Sequence, residues 1–231
     1  APQKLTTCRL SIGGLKGGHS GVEIDKGRGN ANRLMGRLIN DIMKEYKLYL
    51  AEINGGLKSN AIPREAEVLL LTDADNIVKL ENRIKEIEFV FKNELRTADP
   101  DVYIRFENVS DKVERIFAEE TAEKVINSII LVPNGIQSMS MEISGLVESS
   151  TNLGVVNTID SEIWLVNEIR SSVRSLKKNI FSQVEALANT IGGNVRIESD
   201  YPEWEYNPES KLRPLFINVY KEKYKVEPEI V

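Results

Sequence analysis

Apolar residues recur along this chain with two periods, one typical of strands and one of helices. Alternation of apolar and polar residues, or a short apolar run, predicts strands. These strands cover residues 5–12, 21–24, 48–53, 66–71, 102–107, 141–147, 153–159, 163–169 and 194–198. Apolar residues three or four apart predict helices over 30–46, from a cap at Asp73 or Asp75 to Leu95, and over 118–131, 176–191 and 210–224.

The order of these elements predicts an α+β fold. The first half has the order β-α-β-β-α-β, which is typical of a split-βαβ (ferredoxin-like) layer of antiparallel strands under helices on one face. The second half has a similar outline without a sequence repeat, so we expect one enlarged or duplicated domain over residues 1–200. A polar break follows Trp204, and the helix after it is expected to belong with another domain.

The densest run of glycine in the chain surrounds its one histidine, His19. This run, residues 13–21, follows the first predicted strand, and glycine permits positive φ and a close approach of backbones. Its spacing is close to that of a P-loop, but a strand-like pattern rather than a helix follows it. It also misses the Gly-x-Ser-x-Gly pattern of a serine hydrolase by one residue. Two interpretations stay open: a structural turn, or a histidine offered to a substrate or a developing oxyanion.

Composition narrows the classes of function. The net charge of −5 and the pI of about 5.2 argue against a generic nucleic-acid surface, and no apolar run approaches the length of a membrane span. One cysteine excludes an internal disulfide framework, and one histidine excludes a complete nitrogen-rich zinc site. A cytoplasmic location is the simplest expectation. A first residue other than methionine and an apolar last dipeptide suggest a fragment of a longer protein.

Two polar stretches are candidates for binding a ligand. Arg170 and Arg174 lie between a predicted strand and a helix, where a guanidinium could hold a carboxylate in a bidentate way, although a surface arginine pair would look the same. Asn60 lies in a polar stretch held by a proline, where asparagine commonly forms a turn.

Several blocks of this sequence together resemble the aminoacyl-histidine dipeptidases (Xaa-His or β-Ala-His dipeptidases), a family of dizinc peptidases. They occur in the family's order and extend over nearly the whole chain. They are GLKGGHSG at 14–21 with GRGNAN at 27–32, SNAIPREA at 59–66, ESSTNLG at 148–154, IRSS at 169–172, and YPxW at 201–204.

The resemblance implies that residues 1–200 are the lid domain of such an enzyme and that residues 201–231 return towards its catalytic domain. The two zinc ions would be held by that other domain, and this fragment would bind no metal and be inactive alone. His19 would stabilise the oxyanion that forms at the scissile carbonyl. Asn60 and Arg170 would hold the dipeptide backbone and its terminal carboxylate. Ser171 and the loop of residues 149–152 would line the same cleft. The expected partners are a small dipeptide and the catalytic domain.

Two rival interpretations remain at this point. The chain could be a non-catalytic ligand-binding or oligomerisation module, since its amphipathic helices and sheet edges could serve a homodimer. It could also be the lid of a related dipeptidase or tripeptidase with another preference. A lid that dimerises would satisfy more than one of these interpretations.

Overall fold

Four antiparallel strands of the first half form the sheet that the pattern predicts. The computed structural model describes residues 5–228. The strands are β1 Leu5–Gly13, β2 Gly18–His19, β3 Leu48–Gly55, β4 Ala61–Ile62, β5 Ala66–Asp73, β6 Tyr103–Asn108, β7 Gly135–Met139, β8 Val147–Ile159 and β9 Glu162–Ser171. The helices are α1 Ala31–Ile42, α2 Ile77–Glu94, α3 Glu119–Leu131, α4 Arg174–Ile191 and α5 Leu212–Tyr224. The strand order β6-β1-β5-β3 is that of a split-βαβ layer, so the predicted α+β fold class is confirmed.

The alternation of β1 divides the two faces of this sheet. Cys8, Leu10 and Ile12 point into the core, whereas Arg9 and Ser11 face the other way towards Glu67. Helix α1 lies over the apolar face and buries eight of its residues, and α2 and α3 pack beside it. The thiol of Cys8 is buried among these groups, and burial raises its pKa to about 11.

Strand β8 joins the second half of the chain to this sheet. β9 pairs along one edge of it, while β7 and then β3, at Val156, pair along the other edge. The sequence interpretation was wrong here, because residues 148–152 were expected to be a loop. They are strand residues, and Ser149, Ser150, Thr151 and Asn152 are all buried.

Three segments that were predicted to be strands have another structure. Residues 21–24 form a turn that leads into a short 3₁₀ helix, Ile24–Lys26. Residues 141–146 form a turn in which Ser140 Oγ accepts from the backbone N–H groups of Glu142 and Ile143, and the strand in this region is β7 instead. Residues 194–198 are irregular. The first predicted helix is shorter than expected, because Asn30 caps α1 and the helix ends at Ile42.

The segment over residues 200–228, which carries α5, makes few contacts with the rest of the described chain. Lys177 of α4 forms ion pairs with Asp200 and Glu203, which hold the start of this segment. Helix α5, described over its full length, has no buried residue. None of the helices between residues 5 and 228 has both the length and the hydrophobicity needed to cross a lipid bilayer.

Candidate functional site

The glycine run after β1 packs so closely on its neighbours that side chains are excluded. Gly14 has φ +77°, and a Cβ placed there would lie 2.0 Å from the carbonyl oxygen of Asp101. Gly17 has φ +61°, and a Cβ there would lie 2.7 Å from the carbonyl oxygen of Ile62. Only glycine fits at these two positions, so glycine is what allows the loop to pass this close to Asp101 and Ile62 before it reaches His19.

Asp99 holds both ends of the segment from Lys16 to Gly29, which includes His19. Its side chain is fully buried, with Oδ1 accepting from the N–H of Lys16 and Oδ2 from the N–H of Gly29, both at 2.7 Å. Each of its carboxylate oxygens thus holds one end of the segment that carries His19.

His19 is exposed and its ring is held in one orientation. It lies on β2, opposite Ala61 of β4. Its Nδ1 accepts from the backbone N–H groups of Gly21 at 3.2 Å and Val22 at 3.1 Å. Since Nδ1 is an acceptor, the neutral ring carries its hydrogen on Nε2, which is then free to donate.

Glu23 and Arg28 brace the loop from the side. Glu23 accepts from the N–H of His19 at 2.9 Å and pairs with Arg28 Nη1 at 2.9 Å. Arg28 in turn donates to the carbonyl oxygen of Gly17. The hydrogen bond from the His19 N–H, followed by the charge of Arg28, holds the pKa of Glu23 below its usual value of 4.5. The brace is therefore present above that pH and weakens as the pH falls through the lowered pKa.

Asn60 lies beside His19 because of the two-stranded ribbon formed by β2 and β4. It directly precedes β4, and its carbonyl oxygen accepts from the N–H of Ser20 at 3.0 Å. Its side chain is exposed, on the same ribbon as the histidine. The hydroxyl of Ser20 is buried and has no hydrogen-bond partner within residues 5–228.

Arg170 reaches the same place from β9. A Cβ on Gly21 would lie 3.2 Å from His19 Cε1 and 3.3 Å from both Cδ and Nε of Arg170, so the two side chains meet over this glycine. Nη2 of Arg170 pairs with Glu168 Oε1 at 3.1 Å. Its Nε is buried and has no hydrogen-bond partner in the described part of the chain.

The other two candidates differ from Arg170. Ser171 follows it, but the hydroxyl oxygen of Ser171 accepts from the N–H of Val173 at 3.0 Å in the turn that leads into α4. Arg174 lies in the first turn of that helix and pairs with Glu203 at 3.1 Å. The structure thus brings the side chains of His19 and Arg170 together over Gly21, with the backbone of Asn60 beside them at Ser20. Ser171 takes part in the turn.

Sequence reasoning missed two groups that support this site: Glu168 holds Arg170, and Asp99 holds the glycine loop. Asn152, which was expected in a loop that lines the cleft, lies in β8 and holds the segment around Asn60. Glu168 lies two residues before Arg170, and where the strand continues through Arg170, as β9 does, this spacing places both side chains on one face of it. That alternation is the one signal that could have indicated it.

No three His, Cys, Asp or Glu side chains between residues 5 and 228 lie close enough together to hold a metal ion. The zinc ions implied by the resemblance therefore do not fit the described residues. What this chain offers chemically is an N–H donor at His19, an amide at Asn60 and a guanidinium at Arg170.

Comparison with known proteins supports the predicted resemblance. Residues 10–99 match the model of a peptidase dimerisation domain. The chain is 31% identical over 229 residues to the cytosol non-specific dipeptidase of Escherichia coli K12, a match that covers 99% of this chain and 47% of that protein.

A solved structure agrees over the whole chain. The aminoacylhistidine dipeptidase of Vibrio alginolyticus superposes with a TM-score of 0.93 and 33% sequence identity, covering 100% of this chain and 47% of that one. The resemblance to the aminoacyl-histidine dipeptidases is thereby confirmed. The chain spans about half the length of the two relatives.

Proposed function

We propose that this chain, which resembles dipeptidases of the aminoacyl-histidine type in sequence and fold, is the lid domain of a metal-dependent dipeptidase. The observation that carries the proposal is the meeting of His19 and Arg170 over Gly21, with Asn60 on the adjoining ribbon. An N–H donor and a cation a few ångströms apart suit a substrate that has a reacting carbonyl close to a free carboxylate. A dipeptide has both.

His19 would act on the carbonyl oxygen of the scissile peptide bond. With Nδ1 held by two backbone N–H groups, Nε2–H points outward as a fixed donor. A donor that is already oriented stabilises the charge developing on that oxygen without reorganising during the reaction, and such a donor commonly contributes about 100- to 1000-fold in rate.

Arg170 and Asn60 would bind the substrate rather than react with it. The guanidinium of Arg170 can hold the terminal carboxylate in a bidentate way, while Glu168 fixes one of its ends. The exposed amide of Asn60 can pair with the peptide backbone. Ser171 still has its hydroxyl hydrogen to donate into the same cleft, because the bond from Val173 uses only its oxygen.

The chemical step needs groups that lie outside this chain. Metal ions held by the other half of the enzyme would activate the attacking water. We infer that residues 1–200 act as the lid, that residues 201–231 return towards that half, and that the chain alone is inactive. A cytoplasmic location is proposed with this function, as the name of the Escherichia coli relative indicates for that protein.

The range of substrates is proposed from the same groups. Xaa-His dipeptides such as β-Ala-His are our first candidates, because the resemblance is to the aminoacyl-histidine type. The names of the two relatives indicate one selective and one non-specific enzyme. Hydrolysis of β-Ala-His compared with Ala-Ala by the full-length enzyme would distinguish a selective from a broad dipeptidase.

The first experiment replaces His19 in the full-length protein. His19→Ala should lower kcat for a dipeptide by about 100- to 1000-fold and leave the bound zinc unchanged. Lys16→Ala is the matched control, because Lys16 lies in the same loop and its exposed side chain is not needed for the Asp99 contact. Equal losses of zinc and activity, or an unchanged kcat, would overturn the role of His19.

We also propose that the chain forms a homodimer, as favoured by the match of residues 10–99 to a peptidase dimerisation domain. Light scattering coupled to gel filtration should give twice 26.0 kDa. A monomer mass at micromolar concentration would contradict dimerisation through this chain alone.

A further inference from the structure

We propose that Asn152 is a positioning residue that fixes the His19–Asn60 ribbon relative to Arg170. This inference rests on the proposed function, in which the three side chains must hold one substrate together. Asn152 lies in the middle of β8 and is 1% exposed, so it has no direct access to a ligand. Its effect on the site must pass through the groups that it holds.

The amide nitrogen of Asn152 holds the segment around Asn60 from both sides. Nδ2 donates to the carbonyl oxygens of Ser59 and Ala61, each at 2.9 Å. These two carbonyls flank Asn60, so both hydrogens of one amide hold the backbone on which its side chain is mounted. Ala61 is also the residue that pairs with His19 across the ribbon.

The amide oxygen fixes which way this side chain faces. Oδ1 of Asn152 accepts from Nδ2 of Asn30, the residue that caps α1, at 3.2 Å. Rotating the amide by half a turn would place Nδ2 of Asn152 against Nδ2 of Asn30. It would also place Oδ1 of Asn152 against the carbonyl oxygens of Ser59 and Ala61. The buried amide therefore has one satisfied orientation.

The strand that carries Asn152 also sets the place of Arg170. Ser150 pairs with Arg170 in the register of β8 and β9, and Asn152, two residues further on, faces the same side as Ser150. The ribbon lies directly on this strand, since a Cβ on Gly154 would be 2.5 Å from the carbonyl oxygen of Ser59. One side chain thus links the ribbon to the strand beside Arg170.

Asn152→Asp is the decisive variant. It keeps the shape of the side chain and replaces the two N–H donors with an oxygen that faces two carbonyl oxygens. The repulsion should displace the ribbon, and a displacement of about 1 Å at a catalytic group can cost about 100-fold in rate. In the full-length enzyme we expect a loss of that size in kcat/KM, with KM raised because Asn60 and Arg170 no longer bind together.

Asn32→Asp is the matched control. Asn32 is 2% exposed, and its Nδ2 donates to two carbonyl oxygens, those of Gly55 and Leu153, each at 3.3 Å. Like Asn152→Asp, this substitution removes two N–H donors from a buried asparagine. Neither of the carbonyl oxygens that lose a donor flanks Asn60. It should destabilise the fold and leave KM unchanged at temperatures where the protein is folded.

The single histidine provides a readout that needs no catalysis. In this chain the imidazole signals in an NMR spectrum come from His19 alone. Asn152→Asp should shift them and weaken the signature of hydrogen bonding at Nδ1, whereas Asn32→Asp should leave both unchanged. Where Asn152→Asp does not fold, Asn152→Ser, which keeps one donor, should produce a smaller change in the same direction.

The outcomes separate this inference from the proposed function. Unchanged His19 signals in the folded Asn152 variant, or equal changes in both variants, would overturn the positioning role. So would an unchanged kcat/KM for Asn152→Asp in an enzyme that does lose activity with His19→Ala. Should His19→Ala keep full activity, the proposed function fails instead, while the NMR comparison still decides whether Asn152 holds the ribbon.

Discussion

Helices α1 and α5 have similar length and both carry apolar residues at helical spacing, but α1 is buried in this chain and α5 is exposed. Helix α1 buries eight residues against the sheet and α3, among them Leu38 at 0% exposure. Helix α5 carries Leu212, Leu215, Phe216 and Val219 at helical spacing, and all four are more than half exposed. Periodicity therefore indicates which face of a helix needs a partner, but not whether the same chain provides that partner.

The largest expected effect tests the buried member of this pair. Leu38→Ala removes a fully buried side chain from the centre of the α1 interface. Because the transfer energy is lost and a cavity remains, we expect the free energy of unfolding to fall by about 2–5 kcal/mol. Urea denaturation followed by circular dichroism measures it. A loss of less than about 1 kcal/mol would mean that α1 is not packed as described.

Sequence patterns predicted the apolar half of the fold well. Alternation in 5–12 and 102–107 matches β1 and β6, and the order of elements gave the strand order of the split-βαβ layer. These elements are apolar on one face, so burial and sequence period agree. The same logic is wrong for 141–146, where Met141 and Ile143 alternate but Gly145, with φ +82°, lies in a turn.

The polar half was harder to predict for a physical reason. Residues 148–152 contain no apolar side chain, and polar runs are normally found in loops. Here Asn152 and its neighbours are buried because tertiary hydrogen bonds satisfy them, and no local pattern encodes such bonds. His19 could be identified because the chain has one histidine, and Arg170 because of the resemblance, whereas Asp99 and Asn152 act only through the folded structure.

A loss of stability of medium size is expected when Asp99 is replaced. The variant tests how much the polar contacts beside α1 add to the stability that its packing provides. The helix starts two residues after Gly29, the residue that Asp99 holds. Asp99→Asn places an N–H₂ group against one of two backbone N–H donors, and leaving that donor unsatisfied should lower the free energy of unfolding by about 1–3 kcal/mol.

Hydrogen exchange at the amides of Lys16 and Gly29 should become faster in this variant, while the amides in the middle of α1 should change less. Asp101→Asn is the control, because Asp101 is exposed and approaches the glycine loop through its backbone carbonyl. Equal losses of stability in the two variants would show that the buried carboxylate contributes no more than an exposed one.

The smallest change in the free energy of unfolding is expected for substitutions on α5. These variants test the comparison of α1 with α5 most directly. Leu215 and Phe216 are 58% and 70% exposed, so Leu215→Ser and Phe216→Ser remove little buried surface from this chain. Each should change the free energy of unfolding by no more than about 0.5 kcal/mol. A loss as large as that for Leu38→Ala would mean that α5 is covered in solution, and dilution would then test whether a second copy covers it. If the loss is small in this chain but large in the proposed full-length enzyme, the partner of α5 lies in the half proposed to lie outside this chain.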